Sequence, residues 1–559
     1  MIQTIDAAKG RWITLDERPR DPAIEARCTR EFLQGAIGKL GDLTVVSANL
    51  ITNGKYDVPP IPFDLGETMA PFATLRVIED LPAFCDVTID LRGAGGHVST
   101  ITVWVPLNWN GRFFGTTGGG TRTMGWLSVP EAARAINLPT ALRNGFATAR
   151  TNGGVKDRRN YAWGLDFKTG EVDRELTDLW IHRATHEMTV IGKAVTQAIH
   201  GVAPKYSYLC GTSGGGRQTL VEAQRYPGDY DGLWASDAAF RWTKMLLAEL
   251  WPALVMKESG VALAPGKLNA FREAAIEACD GLDGLRDGII GAFDPCDFDP
   301  RQIVGQSTSD GPITEADAEV MAKIWQGPRK RNGEFMWWGV HPGTRSWGTD
   351  EFPAGLLCST ALRDGKREPI PFEVADAYVQ CWVAKDPNWD FRKLTYEKYE
   401  ELFEKSVREY PELSSDDPDL RALRDRGGKL IISQGANDQV IPFMGAVDYY
   451  RNVTRVIGSE DETRSFARLF VTEGDGHNIP LDPGPGLYAA DVLAALMRWV
   501  EEGKAPDEIT AKTLNPASSA VKAERPAYAY PFVPEYRGAG DPNKASSFKP
   551  VRFETRTRR

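Results

Sequence analysis

Gly211-Thr212-Ser213-Gly214-Gly215 is the stretch of this chain whose residue types most directly suggest chemistry. It fits G-x-S-x-G, in which a serine sits on a tight strand-to-helix turn with its Oγ presented as a nucleophile. The context suits that geometry: YSYLCG (206–211) reads as a strand and GGRQTLVEAQRYP (215–227) as a helix. Glycines beside the serine leave room that side chains would fill. The following helix turns its N-terminal amides toward the serine, which favours a developing oxyanion. The plainer alternative is a glycine-rich turn that only packs a helix on a strand.

A serine nucleophile needs a base, and the chain offers six histidines. His182, His186 and His200 fall on a predicted helix over 179–201. His182 and His186 are spaced i,i+4 but lack the HExxH glutamate, so a zinc pair is not expected. His97 and His341 lie in loops without a partner motif. His477 follows the strand-like RLFVTEGDG late in the chain, where the order serine, acid, histidine puts the base. KLIISQGAND (429–438) ends on Asp438, an acid able to accept a bond from the His477 ring and fix its tautomer. Capping the helix that contains GAVDYY is the plainer role for Asp438. Glu473 and Asp475 are rival acids, though close in sequence to His477. Gly118-Gly119-Gly120 follows another strand-like run, and the amide of Gly119 or Gly120 would join that of Gly214 as an oxyanion donor.

A second cluster lies at CDGLDGLRDGII (279–290), where Asp280, Asp283 and Asp287 fall within eight residues, among glycines that let the chain wrap. Hard oxygen ligands at this density suit Ca²⁺, with the carbonyls of Leu285 and Ile289 completing the shell. The spacing is not that of an EF-hand, and a solvated Asp/Gly turn is the alternative.

The elements that must position these residues read as an α/β protein. ITVWVPL (101–107), FATART (146–151) and 206–211 alternate with helical stretches, which implies a parallel sheet covered on both faces. Between about 241 and 425 strand alternation disappears. It resumes with 429–438 and 467–477, followed by a helix over 488–503. The expected organisation is an α/β-hydrolase domain from 1–240, with an N-terminal extension, and 426–559. A lid domain over 241–425 interrupts it, and the tail from about 515 is an extended strap.

Composition sets outer bounds. A chain of 559 residues with formal charge −10 and pI near 5.4 argues against a nucleic-acid partner. No apolar run approaches the roughly 20 residues of a membrane helix, and the N-terminus carries no secretory signature. Seven cysteines are too few for a disulfide scaffold and leave at least one thiol unpaired.

Several segments together resemble the tannase and feruloyl esterase family, which includes the mono(hydroxyethyl) terephthalate hydrolases. They are WNGRFFG (109–115), YLCGTSGGGRQTLVEAQRYPGDYDG (208–232), ACDGLDGLRDGII (278–290), KLIISQGANDQVIP (429–442), VDYYRNV (447–453), RWVEEGKAPDEITA (498–511) and YRGAGDPNKASSF (536–548). The resemblance implies an α/β-hydrolase fold with a lid inserted after the elbow and a Ser213–Asp438–His477 triad. It implies a structural Ca²⁺ near Asp280, Asp283, Leu285, Asp287 and Ile289, and no organic cofactor. It also implies the pairs Cys28–Cys85 and Cys279–Cys296, and a small aromatic ester as substrate. The chain departs from the family where Thr212 and Asn478 replace a cysteine pair that ties the nucleophile to the histidine. Tyr528 and Lys549 stand near the places of another pair, and Thr151-Asn152-Gly153-Gly154-Val155 replaces a TDTGH segment. The retained pairs suggest an oxidising compartment; the lost pairs and the absent signal suggest the cytoplasm. Arg329, Arg331, Arg345 and Arg363 are lid cations able to pair with a substrate carboxylate. A peptidase or acyltransferase on the same scaffold, or a non-catalytic binding protein, is the alternative function.

Overall fold

Runs of β-branched and aromatic residues, alternating in the layer they face, build the sheet that carries the candidate residues. The computed structural model describes residues 10–16, 19–59, 76–123, 136–155, 164–166, 168–349, 356–477, 484–515 and 520–556. The main-sheet strands are β1 (Leu43–Ile51), β2 (Phe84–Arg92), β3 (Val98–Pro106), β4 (Arg112–Thr116), β5 (Ala147–Thr151), β6 (Tyr206–Thr212), β7 (Gly232–Ser236), β8 (Lys429–Gly435) and β9 (Ala467–Thr472). The helices that bear on the site are α1 (Ala184–His200), α2 (Gly214–Arg225), α3 (Trp242–Glu249), α4 (Met444–Ile457) and α5 (Ala489–Glu502).

The strands lie in the order β1-β2-β3-β5-β4-β6-β7-β8-β9. From β5 through to β9 every pairing is parallel. The wholly parallel sheet expected from strand–helix alternation needs correction at one edge, because β1, β2, β3 and β5 pair antiparallel. Only the five-residue link between β2 and β3 is short enough for a hairpin to impose that direction.

Side chains alternate across the inner strands, as a period of two requires. Leu209, Leu233, Leu430 and Leu469 meet Met188 and Val195 of α1, Leu220 of α2 and Tyr450 of α4. Their neighbours Tyr208, Trp234, Ile431 and Phe470 face the opposite layer, with Leu496 and Trp499 of α5. The predicted helix over 179–201 is broken at its start. Leu179–Arg183 forms a π-helical turn before α1 proper.

Residues 241–425 leave the sheet after β7 and return at β8 without adding a main-sheet strand. They pack round their own apolar centre, with Leu254, Phe271, Ile324, Trp382 and Phe403 among its members. Arg241 pins both ends of this excursion. Its amide donates to the Ser414 carbonyl at 2.5 Å, and its guanidinium pairs with Asp416 at 2.8 Å and with Asp448 of α4 at 2.6 Å.

The tail is more folded than an extended strap. Glu508–Leu514 pairs with Val521–Tyr528, and Phe532–Tyr536 with Phe548–Arg552, both antiparallel. The Tyr530 amide donates to the Leu469 carbonyl at 2.7 Å, so the tail covers the exposed edge of β9. Cys28 is bonded to Cys85 and Cys279 to Cys296, with Cα separations of 5.8 and 5.4 Å. Cys210, Cys358 and Cys381 are buried thiols. No described helix is long and apolar enough to cross a membrane.

Arg241→Ala strips Asp416 and Asp448 of their shared cation. The expected loss is about 1–3 kcal/mol of folding free energy, the range for a hydrogen-bonded charge that is only partly buried. Chemical denaturation followed by circular dichroism measures it; an unchanged midpoint would show that the clamp carries no stability.

Candidate active site

Ser213 stands alone between β6 and α2 at φ 61° and ψ −124°, a region that side-chain-bearing residues disfavour. Its amide donates to the Ser236 carbonyl of β7, and its carbonyl accepts from the amides of Arg217 and Ala239, each at 3.0 Å. Glycine is required around it. A Cβ on Gly214 would lie 2.2 Å from the Gly120 carbonyl oxygen, and one on Gly215 would lie 2.3 Å from Thr117 Oγ1. Ser213 Oγ makes no hydrogen bond to another described residue.

The same contacts bring the Gly118–Gly120 turn against the elbow. Gln218, in the second turn of α2, grips that turn at both ends. Its Oε1 accepts from the Gly118 amide at 3.1 Å and its Nε2 donates to the Arg122 carbonyl at 3.2 Å. The Gly118 amide is therefore engaged. Arg217, fully buried on the same helix, donates to the carbonyls of Trp180 at 2.8 Å and Ile181 at 3.2 Å in the π-helical turn. Burial brings its pKa down to about 9.

Asp438 lies just beyond β8 and His477 just beyond β9. His477 Nδ1 is 2.7 Å from Asp438 Oδ2. The other carboxylate oxygen accepts from the amides of Val440 and Ile441 at 2.9 and 2.7 Å, and Gln434 Nε2 donates to Oδ2 at 2.9 Å. Asp438 thus caps its own turn; helix α4 begins six residues later, which disposes of the plainer capping role. Gln439 Oε1 accepts from the His477 amide at 2.7 Å, and Gly476 makes space for it, since a Cβ there would lie 2.4 Å from the Gln439 amide nitrogen. The rival acids turn elsewhere: Asp475 accepts from Thr472 Oγ1 at 3.1 Å, and Glu473 from the Ala292 amide at 3.2 Å.

Asp237, which sequence reasoning missed, ties these loops together. It follows β7 at φ 43°, and its Oδ1 accepts from the Gly435 amide while its Oδ2 accepts from Ser236 Oγ, each at 2.9 Å. Its carboxyl is pushed up to about 6 by burial and by the Asp438 charge. Glu249 of α3 is also buried, and burial together with Asp438 raises its pKa well above the ordinary range. The only signal for Asp237 in the sequence is its place at a strand end next to the elbow strand. For His477, burial opposes the charged ring, but the charge and hydrogen bond of Asp438, with Asp237 behind it, outweigh burial and raise the pKa.

The excursion after β7 reaches this site. A Cβ on Gly343 would meet Asn437 Nδ2 at 3.1 Å, and Trp337 lies over Gly445 of α4. The proposed substrate arginines are less well placed. Arg329, Arg331 and Arg363 are exposed, and Arg331 is held by Glu397 and Glu400; Arg345 is half-buried in the segment following Gly343. The Thr151–Val155 loop packs on the segment just after the Gly118–Gly120 turn, where a Cβ on Gly153 would lie 2.6 Å from Thr123 Oγ1. Asn478 falls outside the described residues.

In the acidic loop, Asp280 and Asp283 are buried. Asp280 accepts the amides of Asp287, Gly288 and Ile289 at 3.0–3.2 Å, and Asp283 accepts that of Leu285 at 2.9 Å. Asp287 is turned to Arg525, and these three carboxylates do not gather at one point. The two histidines spaced i,i+4 take different partners: His182 Nδ1 meets Tyr226 Oη, and His186 Nδ1 meets Asp229, each at 2.6 Å. His97 faces Asp173 at 2.7 Å, and His200 meets the Pro106 carbonyl at 3.1 Å.

This strand order, with a serine on the elbow after the central parallel strand and an acid and a histidine after the second and third strands beyond it, defines an α/β-hydrolase. The chain belongs to the tannase and feruloyl esterase family, whose model matches residues 85–551, and it is a carboxylic ester hydrolase. A probable feruloyl esterase of Arthroderma benhamiae is 35% identical, over 83% of this chain and 85% of its own length. The mono(2-hydroxyethyl) terephthalate hydrolase of Piscinibacter sakaiensis is 28% identical, over 84% and 85%. Among solved structures, the tannin acyl hydrolase of Aspergillus niger superposes with a TM-score of 0.78 at 21% identity, covering 97% of this chain and 98% of that one. Feruloyl esterase B of Aspergillus oryzae gives 0.76 at 24% identity, covering 94% and 100%.

Because Asp438 raises the His477 pKa, an imidazole NMR titration should show a midpoint above the ordinary value of about 6.5, and Asp438→Asn should lower it. A pKa raised on folding stabilises the protein fully below the unfolded value, and that contribution fades as pH rises through the folded one. A midpoint unmoved by Asp438→Asn would contradict the coupling.

Proposed function

We propose that the protein hydrolyses esters of aromatic acids through an acyl-enzyme on Ser213. The observation that carries this reading is the 2.7 Å His477–Asp438 contact, with its acid buried and fixed by two amides, two strands along the sheet from a serine on a strained elbow. His477, its tautomer set by Asp438, takes the Ser213 proton as Oγ attacks the ester carbonyl. The amide of Gly214, with that of Gly119 or Gly120, stabilises the tetrahedral oxyanion. His477 then protonates the departing alcohol, and a water activated by the same ring releases the acid. The segment over 241–425 serves as a lid, a role supported by the approach of Gly343 to Asn437. The aromatic acyl group is inferred from relatives named for feruloyl and terephthalate esters.

Ser213→Ala should lower kcat on a p-nitrophenyl ester by at least about 10⁴-fold with the circular dichroism spectrum unchanged. Activity near wild type would remove the serine from the mechanism. A panel of gallate, ferulate, phthalate and terephthalate esters then assigns the acyl group.

We also propose that the loop at 280–289 holds a structural Ca²⁺. The residues suit a hard cation: Asp280 and Asp283 are buried carboxylates that accept main-chain amides. Asp287 would share its carboxylate with Arg525, and the carbonyls of Leu285 and Ile289 would complete the shell. EGTA should lower the Tm of the wild type, and Asp283→Ala should lower it alike and abolish the response to chelator. A wild-type Tm indifferent to both EGTA and added Ca²⁺ would eliminate the site.

A further inference from the structure

At the far end of α2 from Ser213, roughly 13 Å along the helix axis, a second group of polar residues is left without a function by the reading above. A ring nitrogen of His186 on α1 and one carboxylate oxygen each from Glu222 on α2 and Asp229 in the α2–β7 link lie within 4.8 Å of one another. Glu222 is 1% exposed, and neither of its carboxylate oxygens meets a hydrogen-bond donor among the described residues. What it faces instead is another carboxylate. A buried carboxylate set against a second one calls for a cation or a proton between them.

The nearby ammonium does not supply that cation directly. Lys193 Nζ is hydrogen-bonded to the main-chain oxygen of Asp229, not to either carboxylate. The histidine is held as a ligand needs to be. Tyr226 stacks on its ring at 4.0 Å and 9°, and His182 anchors the Tyr226 hydroxyl at 2.6 Å. Solvent reaches the group, because the His186 and Asp229 side chains are 33% and 16% exposed. A surface cleft lined by Leu40, Arg92, Arg183 and Glu187 also opens beside His186.

We propose that His186, Glu222 and Asp229 bind a first-row divalent metal ion of the Zn²⁺ type, with water in the fourth position. One imidazole nitrogen and two carboxylate oxygens form a donor set suited to Zn²⁺. Metal–ligand bonds of about 2.0–2.2 Å put tetrahedral neighbours about 3.3 Å apart. The His186 and Asp229 atoms, now 2.6 Å apart, need only open by under about 1 Å. The ion displaces the proton between His186 and Asp229 and joins α1 to the C-terminal end of the helix that carries the nucleophile. It differs in ligands and location from the loop at 280–289.

The test uses full-length protein stripped with chelator, desalted and titrated with CoCl₂ alone. The wild type should bind one Co²⁺ with visible ligand-field bands, which ZnCl₂ removes by competition, and Zn²⁺ should raise its Tm. Glu222→Gln and His186→Gln should lose the bands and the Tm response while keeping the circular dichroism spectrum, and Asp283→Ala should keep both. Absence of stoichiometric Co²⁺ binding in the wild type, or wild-type bands in Glu222→Gln, overturns the proposal. The group would then be a proton-sharing acid pair, which Glu222→Gln would leave as stable as before.

Discussion

A single residue forced to positive φ sets the terms for one whole end of this sheet. The turn around Ser213 closes only because Gly211, next to last in β6, and Gly214–Gly216, which open α2, carry no side chains. The backbone of the Gly118–Gly120 turn can then close on Gly214 to van der Waals distance and beyond what any Cβ would allow. The strain is held in place by neighbours on the next strand. The amide of Ser213 and its carbonyl are both bonded to the 236–239 segment, and Arg217 and Gln218 fasten the first turns of α2 to the π-helical turn and the glycine turn.

Where the family pattern implies a covalent bridge beside the serine and the histidine, this chain has Thr212 and Asn478. What the described residues provide is a hydrogen-bonded line from strand to strand. It runs from Ser213 to Ser236, from Ser236 and Asp237 to Gly435, and from the 435–439 turn through Asp438 and Gln439 to His477. Its links are main-chain groups, two buried carboxylates, the Ser236 hydroxyl and the Gln439 side-chain amide, so the line holds without sulfur. Asp237 does two jobs in it, bracing the turn and adding negative potential beneath the imidazole.

Ser213, Asp438 and His477 were legible because each ends a strand-like run, and strand ends in a parallel sheet gather at one edge. The donors that hold them were not. Gln218, Asp237 and Gln439 act across gaps of 38 to 198 residues or by packing against a glycine, and local pattern carries no trace of such pairings. The antiparallel edge escaped for a related reason: alternation marks a strand but not its direction. The π-helical turn at Leu179–Arg183 keeps nearly the helical spacing of apolar residues, so periodicity alone reads straight through it. In the tail, proline-rich composition suggested a strap, whereas pairing with β9 and within the tail itself is a tertiary outcome.

The clamp at Arg241 has an evolutionary side. Because the excursion leaves and re-enters the sheet at one knot formed by Arg241, Ser414 and Asp416, its length is nearly invisible to the rest of the fold. Closing a longer or shorter loop between fixed ends changes the entropy only logarithmically. Selection can therefore rebuild the cover piece by piece, enlarging it or replacing its lining, while the strands beneath keep the same register. Such an anchorage uncouples the history of the excursion from that of the sheet.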